Sequence, residues 1–290
     1  MKFACALAFL LAGWLLGDGA SAWSAERDTD TQPAPRASTA QANVHVLPAM
    51  TIPGLERERT IRLYLPPGYE TSDARYPVLY MHDGQNLFDA ATGFAGEWEV
   101  DESLNRLAQA THLEVIVVGI DNGGEHRLQE LTAWDNARSG TAEGAAYMDF
   151  VVNVVKPYID AHYRTRPDRL HTAIMGSSLG GLISHYAIYR YPAVFGKAAL
   201  FSPSYWYAPA VYKFTAAHPL PHDAKLYFYC GGKEDESMLV NVRRMLDRVR
   251  GSGLPAQQIG LTVDLGAKHN EAAWRKQFPR AVAWLFDAAQ

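Results

Sequence analysis

Leu170-His171-Thr172-Ala173-Ile174-Met175-Gly176-Ser177-Ser178-Leu179-Gly180-Gly181-Leu182-Ile183-Ser184-His185-Tyr186-Ala187-Ile188-Tyr189-Arg190 carries more structural information than any other stretch of the chain. An apolar run, Thr172 to Met175, stops at Gly176-Ser177-Ser178-Leu179-Gly180, and a helix-compatible run follows at once. Strand, sharp turn and helix around G-x-S-x-G are the parts of a nucleophile elbow. The turn forces the serine backbone into a sparsely populated conformation. Glycines two before and two after it remove side chains that would collide across the turn. The hydroxyl is then exposed at a helix start, where partial positive charge favours an anionic intermediate. Only Ser178 has the required glycines, Gly176 and Gly180; Ser177 would need them where Met175 and Leu179 stand. The pattern alone also describes an ordinary small-residue turn, so the rest of the chain has to decide.

The segments around this stretch alternate. Thr60–Leu65 alternates polar and apolar residues, as a half-buried strand does, and Pro66-Pro67-Gly68 ends it. Pro77–Met81, Val115–Ile120, Thr172–Met175, Ala198–Phe201, Leu226–Cys230 and Ile259–Leu265 read as further strands. The unbroken β-branched run at Val115–Ile120 is what burial on both faces requires. Glu97–Ala110, Ala145–His162, Glu236–Gly251 and Glu271–Ala289 read as helices, with Pro157 expected to kink or restart the second. Strand and helix alternation predicts an α/β fold, a mostly parallel sheet with helices on both faces, and an added hairpin at its edge.

The chain has 290 residues and is 48% hydrophobic, enough for a sizeable core. Its net charge of −4 and lack of a Lys/Arg cluster give no reason to expect a nucleic-acid partner. Lys2, the apolar run Phe3–Leu16 and Ala20-Ser21-Ala22 match a signal peptide over residues 1–22, with cleavage after Ala22 or, as an alternative, after Ala25. The apolar run is short for a membrane span, which needs about 20 residues. Its removal takes Cys5 and leaves Cys230 as the single cysteine, so the mature chain has no internal disulfide. These features predict a periplasmic or secreted protein with no integral membrane segment. Residues 23–43, rich in Ala, Thr, Asp, Gln and Pro, read as a flexible leader, and residues 44–290 as one catalytic domain.

A serine hydroxyl is a poor nucleophile at neutral pH and needs a base, itself oriented by a third group. In α/β-hydrolases the chain order is Ser, then Asp or Glu, then His. The strand Leu226–Cys230 runs into Gly231-Gly232-Lys233-Glu234-Asp235-Glu236, and Ile259–Leu265 into Gly266-Ala267-Lys268-His269-Asn270-Glu271. His269 is therefore the candidate base, expected within hydrogen-bond reach of Ser178 Oγ, or looser without substrate. Glu234 is the preferred acid and Asp235 the alternative; the remaining acids read as helix N-terminal charges. An oxyanion hole needs two donors. The amide of Leu179 supplies one, and the loop Met81-His82-Asp83-Gly84-Gln85 the other, with Gly84 turning the Gln85 amide toward the pocket. Tyr205 and Trp206 either line a substrate pocket or pack beneath a loop. No H-E-x-x-H or comparable spacing predicts a metal, and no cofactor is required.

Taken as a set, Tyr80–Asp89, Val117–Asn122, Gly176–Gly181, Cys230–Glu234 and His269–Trp274 resemble the esterase family related to esterase D. That family includes enterochelin esterase-like hydrolases, feruloyl and acetyl xylan esterases, S-formylglutathione hydrolase and mycolyltransferases. The resemblance runs from about Thr60 to the end and implies an α/β-hydrolase fold with acyl-ester chemistry on Ser178. Since family members carry either Asp or Glu as the acid, it leaves Glu234 and Asp235 both open. It names no substrate; small-molecule and carbohydrate esters, including siderophore esters, all fit. Acyl transfer to a sugar or lipid hydroxyl would use the same site. A non-catalytic carbohydrate- or siderophore-binding module on a hydrolase scaffold is the alternative of another kind, and intact Ser178 and His269 speak against it.

Overall fold

A computed structural model describes residues 36–288. The signal-peptide reading and most of the leader lie outside these residues. The strands are β1 (Val44–Ile52), β2 (Arg57–Tyr64), β3 (Val78–His82), β4 (Ile116–Ile120), β5 (Thr172–Ser177), β6 (Lys197–Phe201), β7 (Lys225–Gly231) and β8 (Ile259–Asp264). The α-helices are α1 (Val100–Thr111), α2 (Arg127–Glu130), α3 (Gly144–Phe150), α4 (Lys156–His162), α5 (Leu179–Arg190), α6 (Ala210–Ala217), α7 (Glu236–Gly251) and α8 (Glu271–Leu285).

All eight strands form one sheet in the order β1-β2-β4-β3-β5-β6-β7-β8. β1 and β2 are the antiparallel edge hairpin, β2 pairs antiparallel with β4, and every later pairing is parallel. The pleat divides the apolar residues between two cores. Tyr80, Val118, Ile174, Leu200 and Phe228 face α3 to α7, while Met81, Val117, Met175, Phe201 and Tyr229 face α1 and α8. β3 to β7 are almost wholly buried, which is why they read as continuous apolar runs. A parallel sheet brings the C-terminal ends of β3, β5, β6, β7 and β8 to one edge, where ligands bind in open α/β folds.

Two expectations are refined. Pro157 does restart the α-helix, in the first turn of α4, with no non-helical break before it. A π-helical segment, Val151–Val155, joins α3 to α4, and Pro157 is the second residue of α4. The wider turn accommodates a residue that has no N–H and whose ring crowds the preceding turn. The leader also ends earlier than residue 43. The Ser38 hydroxyl donates to Asp89 Oδ2 (2.8 Å), the Thr39 amide to Asp89 Oδ1 (3.1 Å) and the Gln41 amide to Asp101 Oδ2 (2.8 Å). Short polar residues dock this segment without burying apolar area, so its composition does not reveal the contact.

Candidate active site

Ser178 stands between β5 and α5 with φ 57° and ψ −120°. Such a backbone costs about 1–3 kcal/mol in a non-glycine residue and persists only where neighbours over-determine it. Here the Ser178 amide donates to the Phe201 carbonyl (2.9 Å), and the Ser178 carbonyl accepts from Leu182 (3.1 Å) and Ser204 (3.0 Å). A Cβ on Gly176 would sit 2.6 Å from the Gly180 carbonyl carbon, so strand and helix cross this closely only with glycine there.

The loops after β7 and β8 bring the next two residues to the same edge. His269 Nδ1 lies 2.7 Å from Glu234 Oε2. Glu234 Oε1 accepts from Ser202 Oγ (2.6 Å) and from the Gly231 amide (2.5 Å), and its side chain is almost fully buried. Ser202, at φ 44°, in turn accepts from Trp274 Nε1 (3.0 Å). The Trp274 ring meets His269 edge to face, 4.9 Å between centroids. A Cβ on Gly231 would lie 2.4 Å from the Ala267 carbonyl oxygen, so this glycine lets the two loops close on each other. Asp235 takes no part: it caps α7, accepting from the Ser237 amide (2.5 Å).

Ser178 and His269 line one cleft of about 210 Å³ with Phe94, Trp98 and Trp274. Ser178 Oγ is 3.0 Å from Ser204 Oγ, and among the described residues no hydrogen bond joins it to His269. A wider groove of about 640 Å³ runs along α7 past Arg243, Arg244 and Arg248 and includes none of these residues.

The Leu179 amide opens α5, and the Gln85 amide lies in the first turn of the 3-10 helix Gly84–Asn86. Such N–H groups have no intrahelical partner, and among the described residues neither has another. Gly84, however, is not the residue that turns the loop. Asp83 carries the left-handed backbone, at φ 57°. Gly84 is required because a Cβ would lie 2.8 Å from the Asp121 amide nitrogen. Neither Gly84 nor Gln85 lines the cleft. Tyr205 does not line it either. Its ring is fully buried and its hydroxyl bonds His185 Nδ1 (2.8 Å), so it is a core residue. Trp206 is 43% exposed but lies outside the cleft, with the Arg138 guanidinium 5.3 Å from its ring centre.

The aromatic wall is instead Phe94, Trp98 and Trp274, and the polar lining includes His82, Asp83, Asn86, Arg127 and Glu271. Of these, Glu271, Trp274 and the residues of the His82–Asn86 loop stood inside recognisable motifs. Arg127, which opens α2 after β4, grips Asp83 through two hydrogen bonds of 2.6 and 2.8 Å. Burial pushes the Asp83 carboxyl up, but the Arg127 charge and hydrogen bonds outweigh it and hold the group below its ordinary range. Burial lowers His82 to about 4, so its ring is neutral, with Nδ1 held by the Tyr147 hydroxyl at 2.8 Å. Burial raises Glu271, two residues after His269. Away from the cleft, the carboxylates of Glu97, Asp101 and Glu102 bring oxygens within 4.8 Å of one another. Burial pushes Asp101 up to about 8, with Glu102 adding to the rise, so it holds a proton at neutral pH.

The family model described as "Putative esterase" matches residues 52–285. The chain belongs to this esterase family. It is 31% identical over 241 residues to the "Uncharacterized protein YbbA" of Bacillus subtilis, covering 79% of this chain and 92% of that one. Solved structures share the α/β-hydrolase fold. A ferulic acid esterase superposes with a TM-score of 0.66 at 19% identity, over 84% of this chain and 99% of its own. The enterochelin esterase of Shigella flexneri superposes with a TM-score of 0.70 at 18% identity, over 87% of this chain and 60% of its own.

Proposed function

We propose that this esterase is a serine hydrolase that works through an acyl-enzyme on Ser178. The observation that carries this reading is the 2.7 Å bond between His269 Nδ1 and Glu234 Oε2, at the cleft that also holds the strained Ser178. With Nδ1 occupied by a carboxylate, the proton-free position of the neutral ring is Nε2, the atom a general base needs. Ser178 turns its hydroxyl proton from Ser204 to His269, and Oγ attacks the ester carbonyl while His269 takes that proton. Glu234 fixes the imidazole and stabilises the imidazolium. The Leu179 amide, left free at the start of α5, supplies one oxyanion donor. His269 then protonates the leaving alcohol, and a water activated by the same ring releases the acid.

A cleft of about 210 Å³ walled by Phe94, Trp98 and Trp274 suits a compact or aromatic acyl group better than a long chain. The ferulic acid and enterochelin esterases among the structural neighbours support aryl-bearing or sugar- and siderophore-linked esters as the substrate class. The Ala20-Ser21-Ala22 pattern supports export of the mature chain. Steady-state hydrolysis of nitrophenyl acyl esters and methyl ferulate tests the reading. Acetate and ferulate esters should turn over faster than decanoate, and Ser178→Ala should abolish turnover. Equal turnover by Ser178→Ala would contradict it.

A further inference from the structure

Ser204 lies in the turn after β6, two residues beyond the serine that holds Glu234. It is buried, 2% exposed. Its amide donates to the Ser178 carbonyl (3.0 Å), and its hydroxyl oxygen is 3.0 Å from Ser178 Oγ. Among the described residues Ser204 Oγ has no other hydrogen-bond partner. One proton lies between the two oxygens, and at rest either oxygen can supply it.

We propose that the Ser204 hydroxyl is a catalytic group, the hydrogen-bond donor to the nucleophile's own oxygen while Ser178 is deprotonated. This rests on the serine-hydrolase reading above. Once Ser178 turns its proton to His269 Nε2, its oxygen can only accept, and Ser204 is the hydroxyl beside it that can donate. In acylation the Ser178 proton passes to Nε2, an Oγ lone pair forms the bond to the acyl carbon, and the carbonyl π pair moves onto its oxygen. Collapse of that intermediate expels the alcohol, which takes the proton from Nε2. In deacylation water adds to the acyl carbon and gives a proton to Nε2. The bond from that carbon to Oγ then breaks, and Oγ keeps the pair and recovers the proton from His269. Ser204 keeps its own proton throughout.

The bond to Ser204 strengthens when it matters. Between neutral hydroxyls it is ordinary; to an oxygen that is becoming an alkoxide it is charge-assisted and roughly twice as strong. Only that difference lowers the barrier. The amide of Ser204 bonds the Ser178 carbonyl independently of its side chain, so the turn stays anchored when the hydroxyl is removed.

Ser204→Ala and the size-matched, weak-donor Ser204→Cys test the proposal. Each should reduce both kcat/KM on p-nitrophenyl acetate and the inactivation rate by a fluorophosphonate. The expected loss is about ten- to hundredfold, that of a hydrogen bond to a charged group. KM should hold, the midpoint of the pH–rate profile should stay at the wild-type value, and Ser204→Thr should recover most of the rate. Rates within about twofold of wild type in both variants would overturn the proposal and leave the serine-hydrolase reading standing. A loss accompanied by a shifted pH midpoint would overturn it too, because His269 would then have moved. A wild-type protein that neither hydrolyses esters nor reacts with the fluorophosphonate would overturn the underlying reading, before any Ser204 variant is compared.

Discussion

Glu234 and Asp235 are neighbours of similar chemistry, and the chain uses them for different things. Glu234 has the extra methylene and a position before the helix, so it reaches back across Gly231 to His269. Asp235, in an extended conformation at the start of α7, bonds the Ser237 amide instead. The sequence narrowed the acid to this pair and could not go further, because the choice depends on where a second loop, Ala267–His269, lies in space. Mutation separates the two roles. Glu234→Gln should lower kcat on the order of 10³–10⁴-fold, as loss of the tautomer-fixing carboxylate does elsewhere. Asp235→Ala should leave kcat within about twofold and cost about 1 kcal/mol of stability through loss of the cap. Steady-state kinetics beside urea unfolding reads both; a larger kinetic loss in Asp235→Ala would reverse the assignment. Ser202, Ser204 and Asp83 gave no usable signal of their own. Each stands out only through a contact between segments far apart in the chain, and a serine or aspartate in a turn has many ordinary explanations.

At the level of elements, the strands were legible because β3 to β7 are buried on both faces and show it as apolar runs. β1 was not, since most of its residues are exposed or half-buried and carry no clear alternation. The order Ser, acid, His along the sheet was visible because each residue follows its own strand. The choice left open for Tyr205 and Trp206, pocket or packing, turned on a related point. Tyr205-Trp206 follows a strand and reaches the same edge, yet the turn folds Tyr205 down onto His185 and leaves Trp206 beside Arg138. Loop closure is itself an element-level claim. In Gly231→Ala the new Cβ would meet the Ala267 carbonyl oxygen at 2.4 Å and Glu234 Oε1 at 2.9 Å. The β7 and β8 loops must then part, which separates Glu234 from His269. Turnover should fall at least about tenfold, with stability reduced by about 1–3 kcal/mol as for other overpacked sites. Circular dichroism with steady-state kinetics checks it, and unchanged turnover would show that the loops have slack.

For the whole molecule, titration of buried groups sets how stability varies with pH. Burial lowers His82 to about 4 and His185 to about 3. Unfolded histidine takes up its proton near 6.5, so acidification from about 6.5 toward 4 favours the unfolded chain by two protons. Asp101 works the other way. Folded, it holds a proton up to about 8, so stability falls as pH rises from the ordinary carboxylate range toward 8. From about 6.5 to 8 the Asp101 loss dominates, with Lys197, which burial lowers to about 8, opposing it only toward the top of that range; below 6.5 the two histidines outweigh Asp101. The melting temperature should therefore peak near pH 6.5. Asp101→Asn should flatten the alkaline limb and His185→Gln the acid limb; a melting temperature that rises steadily from pH 6.5 to 8 would contradict the account. Asp101, together with Asp89, also binds the segment from Ser38 to Gln41, which composition alone had assigned to a leader.

The central claim is that Ser178, set in a strained elbow beside the His269–Glu234 pair, is the group that becomes acylated. Intact-mass and peptide mass spectrometry after brief treatment with a fluorophosphonate measures this directly. The account predicts one adduct per chain, on the peptide containing Ser178, absent in Ser178→Ala and strongly slowed in His269→Ala. An unmodified protein, or an adduct that persists in Ser178→Ala, would contradict it.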